Sequence, residues 1–113
     1  MTAKPVPYFW LGSDAETPPK TCRVRDVQKM VAAHYRIPRQ TMFSDTREGA
    51  RVRHIAMFLA RELTPLSFPN LGRHFGNRDH TTIMYGINAV RARMTNDADL
   101  AADVATLRDR LRV

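Results

Sequence analysis

Every long apolar pattern in this chain repeats with the period of an α-helix, and no stretch alternates for long enough to argue a strand. Val24, Val27, Met30, Val31 and His34 recur on one helical face. Ile37-Pro38 ends that helix, because a residue before proline avoids helical angles. Pro38 can open a short helical turn through Met42 and Phe43. Residues 44–49 are polar and read as a loop. Val52, Ile55, Ala56, Leu59, Ala60 and Leu63 form a second stripe, which Thr64-Pro65 stops. Ser67 suits the N-cap of a short helix over residues 68–75, and Gly76 suits the left-handed position that ends it. A third stripe runs Ile83, Ile87, Val90 and Met94. Asn96-Asp97 then caps a last helix that turns Leu100, Val104, Leu107 and Leu111 inward. The expected fold class is all-α.

Residues 1–20 read differently and are expected to be a flexible tail before a domain at 21–113. Pro5, Pro7, Pro18 and Pro19 break any helix there, and Gly12-Ser13-Asp14 is turn chemistry. Tyr8, Phe9, Trp10 and Leu11 form an isolated apolar cluster inside this tail. It can fold back on the core, since a small domain needs apolar cover, or serve as a docking peptide for a protein partner.

With 113 residues there is room for one domain, and 43% hydrophobic residues suffice for one modest core. The longest apolar run, residues 55–60, is far too short to span a bilayer. The first eight residues lack the apolar segment of a secretory signal, so a cytoplasmic location is the default expectation. The lone Cys22 can form neither an internal disulfide nor a cysteine-rich metal site. No His-Glu-x-x-His pattern and no nucleophile motif occurs. No metal, cofactor or enzymatic activity is therefore expected.

Charge points to a partner. The formal net charge is +7. Residues 21–95 carry 13 basic and 5 acidic side chains, whereas the two flanks are close to neutral. Most of the cations are arginines, whose planar fork of donors fits phosphates and guanine edges. The middle of the chain is thus the expected polyanion-facing part.

The helix spacing around Gly76 sharpens this. A short helix, a tight turn and a longer helix beginning near Arg78 match a helix-turn-helix, whose second helix can enter a major groove. With Ile83 toward the core, steps of about 100° per residue put Thr81, Tyr85, Asn88 and Ala92 on the opposite face. Arg78 lies near that side and His80 at its edge. The N-terminal end of such a helix also favours an anion.

Two stretches carry a specific resemblance. They are Ile55-Ala56-Met57-Phe58-Leu59-Ala60-Arg61-Glu62-Leu63-Thr64 and Leu71-Gly72-Arg73-His74-Phe75-Gly76-Asn77-Arg78-Asp79-His80-Thr81-Thr82-Ile83. Their order and spacing resemble the C-terminal DNA-binding domain of the bacterial replication initiator DnaA, over roughly residues 22 to 95. The family signature Arg-Asp-His-Thr-Thr stands unchanged as Arg78 to Thr82. The resemblance implies a Trp-repressor-like helical domain that binds double-stranded DNA at a short asymmetric site, the DnaA box.

It also implies roles for individual residues. Asp79 would accept from a cytosine amino group, and His80 and Thr81 would contact bases. Arg78 and Thr82 would meet phosphate or base edges, and Arg73 phosphate. Local alternatives stay open: Asp79 can cap the helix, Thr82 can bond its own backbone, and His80 can be a packed edge residue. The family's basic loop before its second major helix reaches the minor groove. The matching stretch here, residues 44–53, offers Arg47 for the groove and Arg51 and Arg53 for phosphate. It departs from the family at Asp45 and Glu48, where basic residues are usual. His54 replaces a typical glutamine, Asn77 a second glycine, and Tyr85-Gly86 a His-Ala pair.

The phosphate-cradling Gly-x-x-x-x-Gly-Lys-Ser/Thr loop is absent from the sequence. The expected function is that of a free-standing DnaA-like protein without an ATPase domain. It would bind DnaA-box-like sites and regulate replication initiation or transcription. The alternative is an interaction protein that keeps this fold and acts through Tyr8, Phe9, Trp10 and Leu11.

Overall fold

The computed structural model describes residues 22–111. They form five helices: α1 (Val24–His34), α2 (Arg47–Leu63), α3 (Phe68–His74), α4 (His80–Met94) and α5 (Ala98–Leu111). A 3-10 turn at Arg39–Phe43 separates α1 from α2. No strand occurs among the described residues, so the all-α expectation holds. The tail cluster Tyr8, Phe9, Trp10 and Leu11 lies outside them.

Each helix end has a local cause. α1 stops before Ile37, because Arg36 takes a left-handed conformation with φ of 58°. The Arg36 and Ile37 amides then donate back to the carbonyls of Ala33 and Ala32, which closes the helix end. α2 begins earlier than the polar composition of residues 44–49 suggested. The Thr46 hydroxyl accepts from the Gly49 amide at 3.0 Å and makes Arg47, Glu48 and Gly49 the first helical turn. The expected loop is thereby cut to three residues, 44–46. At α3, Ser67 caps the Asn70 amide, as the sequence predicts, and proline occupies the first turn. Asp97 caps α5 through the Leu100 amide at 3.0 Å.

α2 is the central element, packed on α4 and α1. Ala56, Leu59 and Ala60 are fully buried, as are Val27 and Val31 from α1 and Ile83 and Val90 from α4. Leu71 and Phe75 close the core beside the helix-turn-helix, and Val104 and Leu107 close it from α5. Each large aliphatic side chain buried this way contributes about 1.5–3 kcal/mol. Polar pairs lock the periphery. Tyr35 donates to Asp103 at 3.0 Å, and His34 stands 3.2 Å from the same carboxylate, so His34 sits at the α1–α5 seam rather than in the core. Burial and the Asp103 bond push the Tyr35 phenol above its ordinary range. Arg108 pairs with Glu62 at 3.0 Å, joining α5 to α2.

Gln28 was invisible to apolar periodicity. It is buried on the inner face of α1, where its amide donates to the His74 carbonyl at 2.8 Å. Its oxygen accepts from Arg39 at 2.8 Å. One side chain thus ties α1 to the end of α3 and to the 3-10 turn. This fixes the helix-turn-helix against the rest of the domain.

Candidate nucleic-acid interface

The turn between α3 and α4 is set by backbone proximity. The Gly72 carbonyl accepts from the amides of Phe75 at 3.1 Å and Arg78 at 2.9 Å. A methyl group on Gly72 would lie 2.0 Å from the Arg78 carbonyl oxygen, so only glycine lets the two segments meet. Gly76 takes the left-handed conformation at φ 83°, as its place in the sequence predicts, and Asn77 follows at φ 57°. Asn77 tolerates that angle better than most residues, which accounts for its standing where the family has a second glycine.

α4 begins at His80, two residues later than expected, because Asp79 is its N-cap. The Asp79 carboxylate accepts from the Thr81 amide at 3.1 Å and from the Thr81 hydroxyl. These two bonds hold its pKa below the ordinary carboxylate value. Its other oxygen lies 3.5 Å from His80 Nδ1. The helix-capping alternative for Asp79 is therefore realised. A carboxylate has about four acceptor sites, so capping still leaves capacity for a further donor.

Beyond the cap, the outer face of α4 is open. His80, Thr81, Tyr85, Asn88 and Ala92 are all exposed, in the register derived from Ile83. Thr82 is half-buried. The Thr81 hydroxyl is engaged by Asp79, and the residue as a whole is exposed. Arg73 is exposed on α3, bonded to Asn70 at 3.4 Å, and Arg47 and Arg51 are exposed on the first turns of α2. Arg78 is half-buried in the turn. Its Nε has no hydrogen-bond partner among the described residues.

Arg53 corrects the sequence reading. It was expected on the surface as a phosphate contact, but only 7% of it is exposed. Its guanidinium points inward and donates at 3.0 Å to the carbonyls of both Met42 and Ser44. Burial and the nearby Arg78 charge draw its pKa below the usual arginine value. Arg53 is a strut that shapes the segment leading into α2, and the accessible cations of this region are Arg47 and Arg51. A charged residue flanking an apolar stripe gives no sign of this, because the carbonyls it serves belong to another element.

His54 joins α2 to α4. Its ring stands edge-on to Tyr85, with centroids 6.0 Å apart and planes at 81°. It also lies against Gly86, where a methyl group would be 2.8 Å from His54 Cδ2. The two departures from the family pattern, His54 and Gly86, are thus one steric arrangement. Burial lowers the His54 pKa from 6.5, and the charges of Arg53, Arg93 and Arg78 lower it further. The folded state therefore favours neutral imidazole. That contribution is complete above the unfolded value near 6.5 and is lost as pH falls below it. Thermal melts of wild type and His54→Gln at pH 7.5 and pH 5 measure this. The wild type is expected to lose more stability on acidification, and equal losses would assign the acid response to other groups.

With this geometry the family follows. Residues 24–90 match the family described as "Bacterial dnaA protein helix-turn-helix". The chain belongs to that DnaA family. It is 44% identical over 87 residues to the chromosomal replication initiator protein DnaA of Sphingopyxis alaskensis, covering 75% of this chain and 19% of the relative. The corresponding protein of Cereibacter sphaeroides is 45% identical over 87 residues, with the same coverage. That of Rhizobium johnstonii is 40% identical over 92 residues, covering 80% of this chain and 19% of the relative. The chain thus spans about a fifth of the length of these DnaA relatives, and the family match is to their helix-turn-helix. No helix among the described residues is long and apolar enough to cross a membrane. No cluster of three or more His, Cys, Asp or Glu side chains able to hold a metal occurs among them.

Proposed function

We propose that this protein binds double-stranded DNA sequence-specifically at DnaA-box-like sites and thereby regulates replication initiation or transcription, without ATP hydrolysis by this part of the chain. The observation that carries the reading is the Arg78 to Thr82 segment at the start of an outward-facing helix in a helix-turn-helix. A recognition helix of this kind places its N-terminal residues at base edges in the major groove. His80 and the Thr81 methyl read bases there, and Asp79 offers its spare acceptor capacity to a cytosine amino group. Arg47 serves the minor groove. Arg51, Arg73, Arg78 and Thr82 fix the register on the phosphates, which carry no sequence information themselves.

Affinity titrations over a range of salt concentrations test this. Each phosphate contact steepens the log–log salt slope by about 0.9. Thr81→Ala or His80→Ala is expected to cost about 1–3 kcal/mol of discrimination between a preferred site and scrambled duplex. A nearly flat salt dependence, with no preference among duplexes, would overturn the reading and favour the protein-partner alternative.

A further inference from the structure

Resting on that reading, we propose that Tyr85 is a sequence-determining residue that packs against a thymine methyl group within about two base pairs of the position read by Thr81.

Met84 and Tyr85 are the exposed large hydrophobic residues among those described, and Tyr85 is 69% exposed. An aromatic ring left in water forgoes the stabilisation that burial would give it. Its position indicates what covers it. Tyr85 lies four residues after Thr81 on the same face of α4, and Asn88 continues that face. Four residues of helix advance about 6 Å, so even directed wholly along the groove they keep the ring within about two base-pair steps of about 3.4 Å from the base under Thr81. In a helix inserted N-terminus first, later positions stand farther from the groove floor. A tyrosine reaches where a short side chain would not.

The ring is also held in place. His54 meets it edge-on at 6.0 Å from the inner side, an arrangement favoured between aromatic rings. His54 can stand there because residue 86 is glycine, since a methyl group would come within 2.8 Å of its ring. The support is thus built from His54 on α2 and the bare backbone at Gly86 on α4, with Met57 filling the same space, since its sulfur would stand 2.9 Å from a methyl group there. A ring pinned from behind and open in front presents an apolar surface to the groove. The apolar feature that a major groove offers is the C5-methyl group of thymine.

The test uses the full chain and the best duplex recovered by selection from random sequence. Each thymine is replaced singly by uracil, which removes only the methyl group. Wild type is expected to lose affinity about fourfold at one thymine within two base pairs of the position whose preference Thr81→Ala abolishes. Tyr85→Ala should be indifferent to that replacement while keeping the preference read by Thr81. Tyr85→Phe should behave as wild type. Melting temperatures confirm that both variants fold, as expected for an exposed side chain.

A selected site without thymine within two base pairs of that position would overturn the proposal. So would Tyr85→Ala weakening every duplex by one factor, the mark of a phosphate contact, or weakening none. In those cases sequence preference survives and only the role of Tyr85 fails. A wild-type protein with no preference among duplexes would remove the DNA-reading function and this inference together.

Discussion

Gly72→Ala is expected to destabilise the domain by about 3 kcal/mol or more, even though alanine is the better helix former by about 1 kcal/mol. The added methyl group would stand 2.0 Å from the Arg78 carbonyl oxygen, which is backbone and cannot rotate aside. Relief requires α3 and α4 to separate. That in turn breaks the 2.9 Å bond from the Arg78 amide to the Gly72 carbonyl. For a domain of this size the midpoint of thermal unfolding should fall by roughly 10–20 °C. DNA affinity should fall with it, measured below the new midpoint, because the start of α4 moves. A variant that melts like wild type would mean that the turn has slack that the close approach of Gly72 and Arg78 denies.

Arg53→Ala is expected to cost about 1–3 kcal/mol of stability, since it strands the buried carbonyl of Met42, worth about 1–3 kcal/mol when unpaired, and frees the part-buried carbonyl of Ser44, which water can reach. Part of that loss is recovered if water enters. A surface arginine that touches phosphate behaves oppositely. Its removal leaves the melting temperature unchanged and reduces the salt slope of DNA binding by about 0.9. Melting and salt titration of the one variant therefore separate strut from phosphate contact. An unchanged melt with a shallower slope would return Arg53 to the DNA surface.

The difference between these two residues shows where sequence reading has reach. Gly76 at the end of α3 and the caps Ser67 and Asp97 were legible, because each acts on neighbours within a few positions. The stripes of α2 and α4 were legible for the same reason, and they placed Thr81, Tyr85 and Asn88 outward correctly. Gln28 and Arg53 were not, because their partners lie 46 and 11 or 9 residues away in other elements. A polar side chain gives no local sign that it is turned inward. The start of α2 was missed for a subtler reason. Residues 44–49 are all small or polar, and composition reads as loop until the Thr46 cap is seen. The order of the site residues could be read from the motif, whereas the division between inward and outward arginines needed the 3-10 turn in place.

The close approach at Gly86 makes three positions on two helices interdependent. A methyl group at 86 would stand 2.8 Å from the His54 ring and 2.9 Å from the Met57 sulfur. Overpacking of this kind costs about 1–3 kcal/mol. Glycine in a helix interior costs about 1 kcal/mol in propensity. The bare backbone at 86 is therefore the less costly arrangement while both neighbours keep their places. Substitutions at 54, 57 and 86 should then be non-additive, as expected for residues that share one space. A change made at any one of them is felt on the outer face of the recognition helix through the contact of His54 with Tyr85.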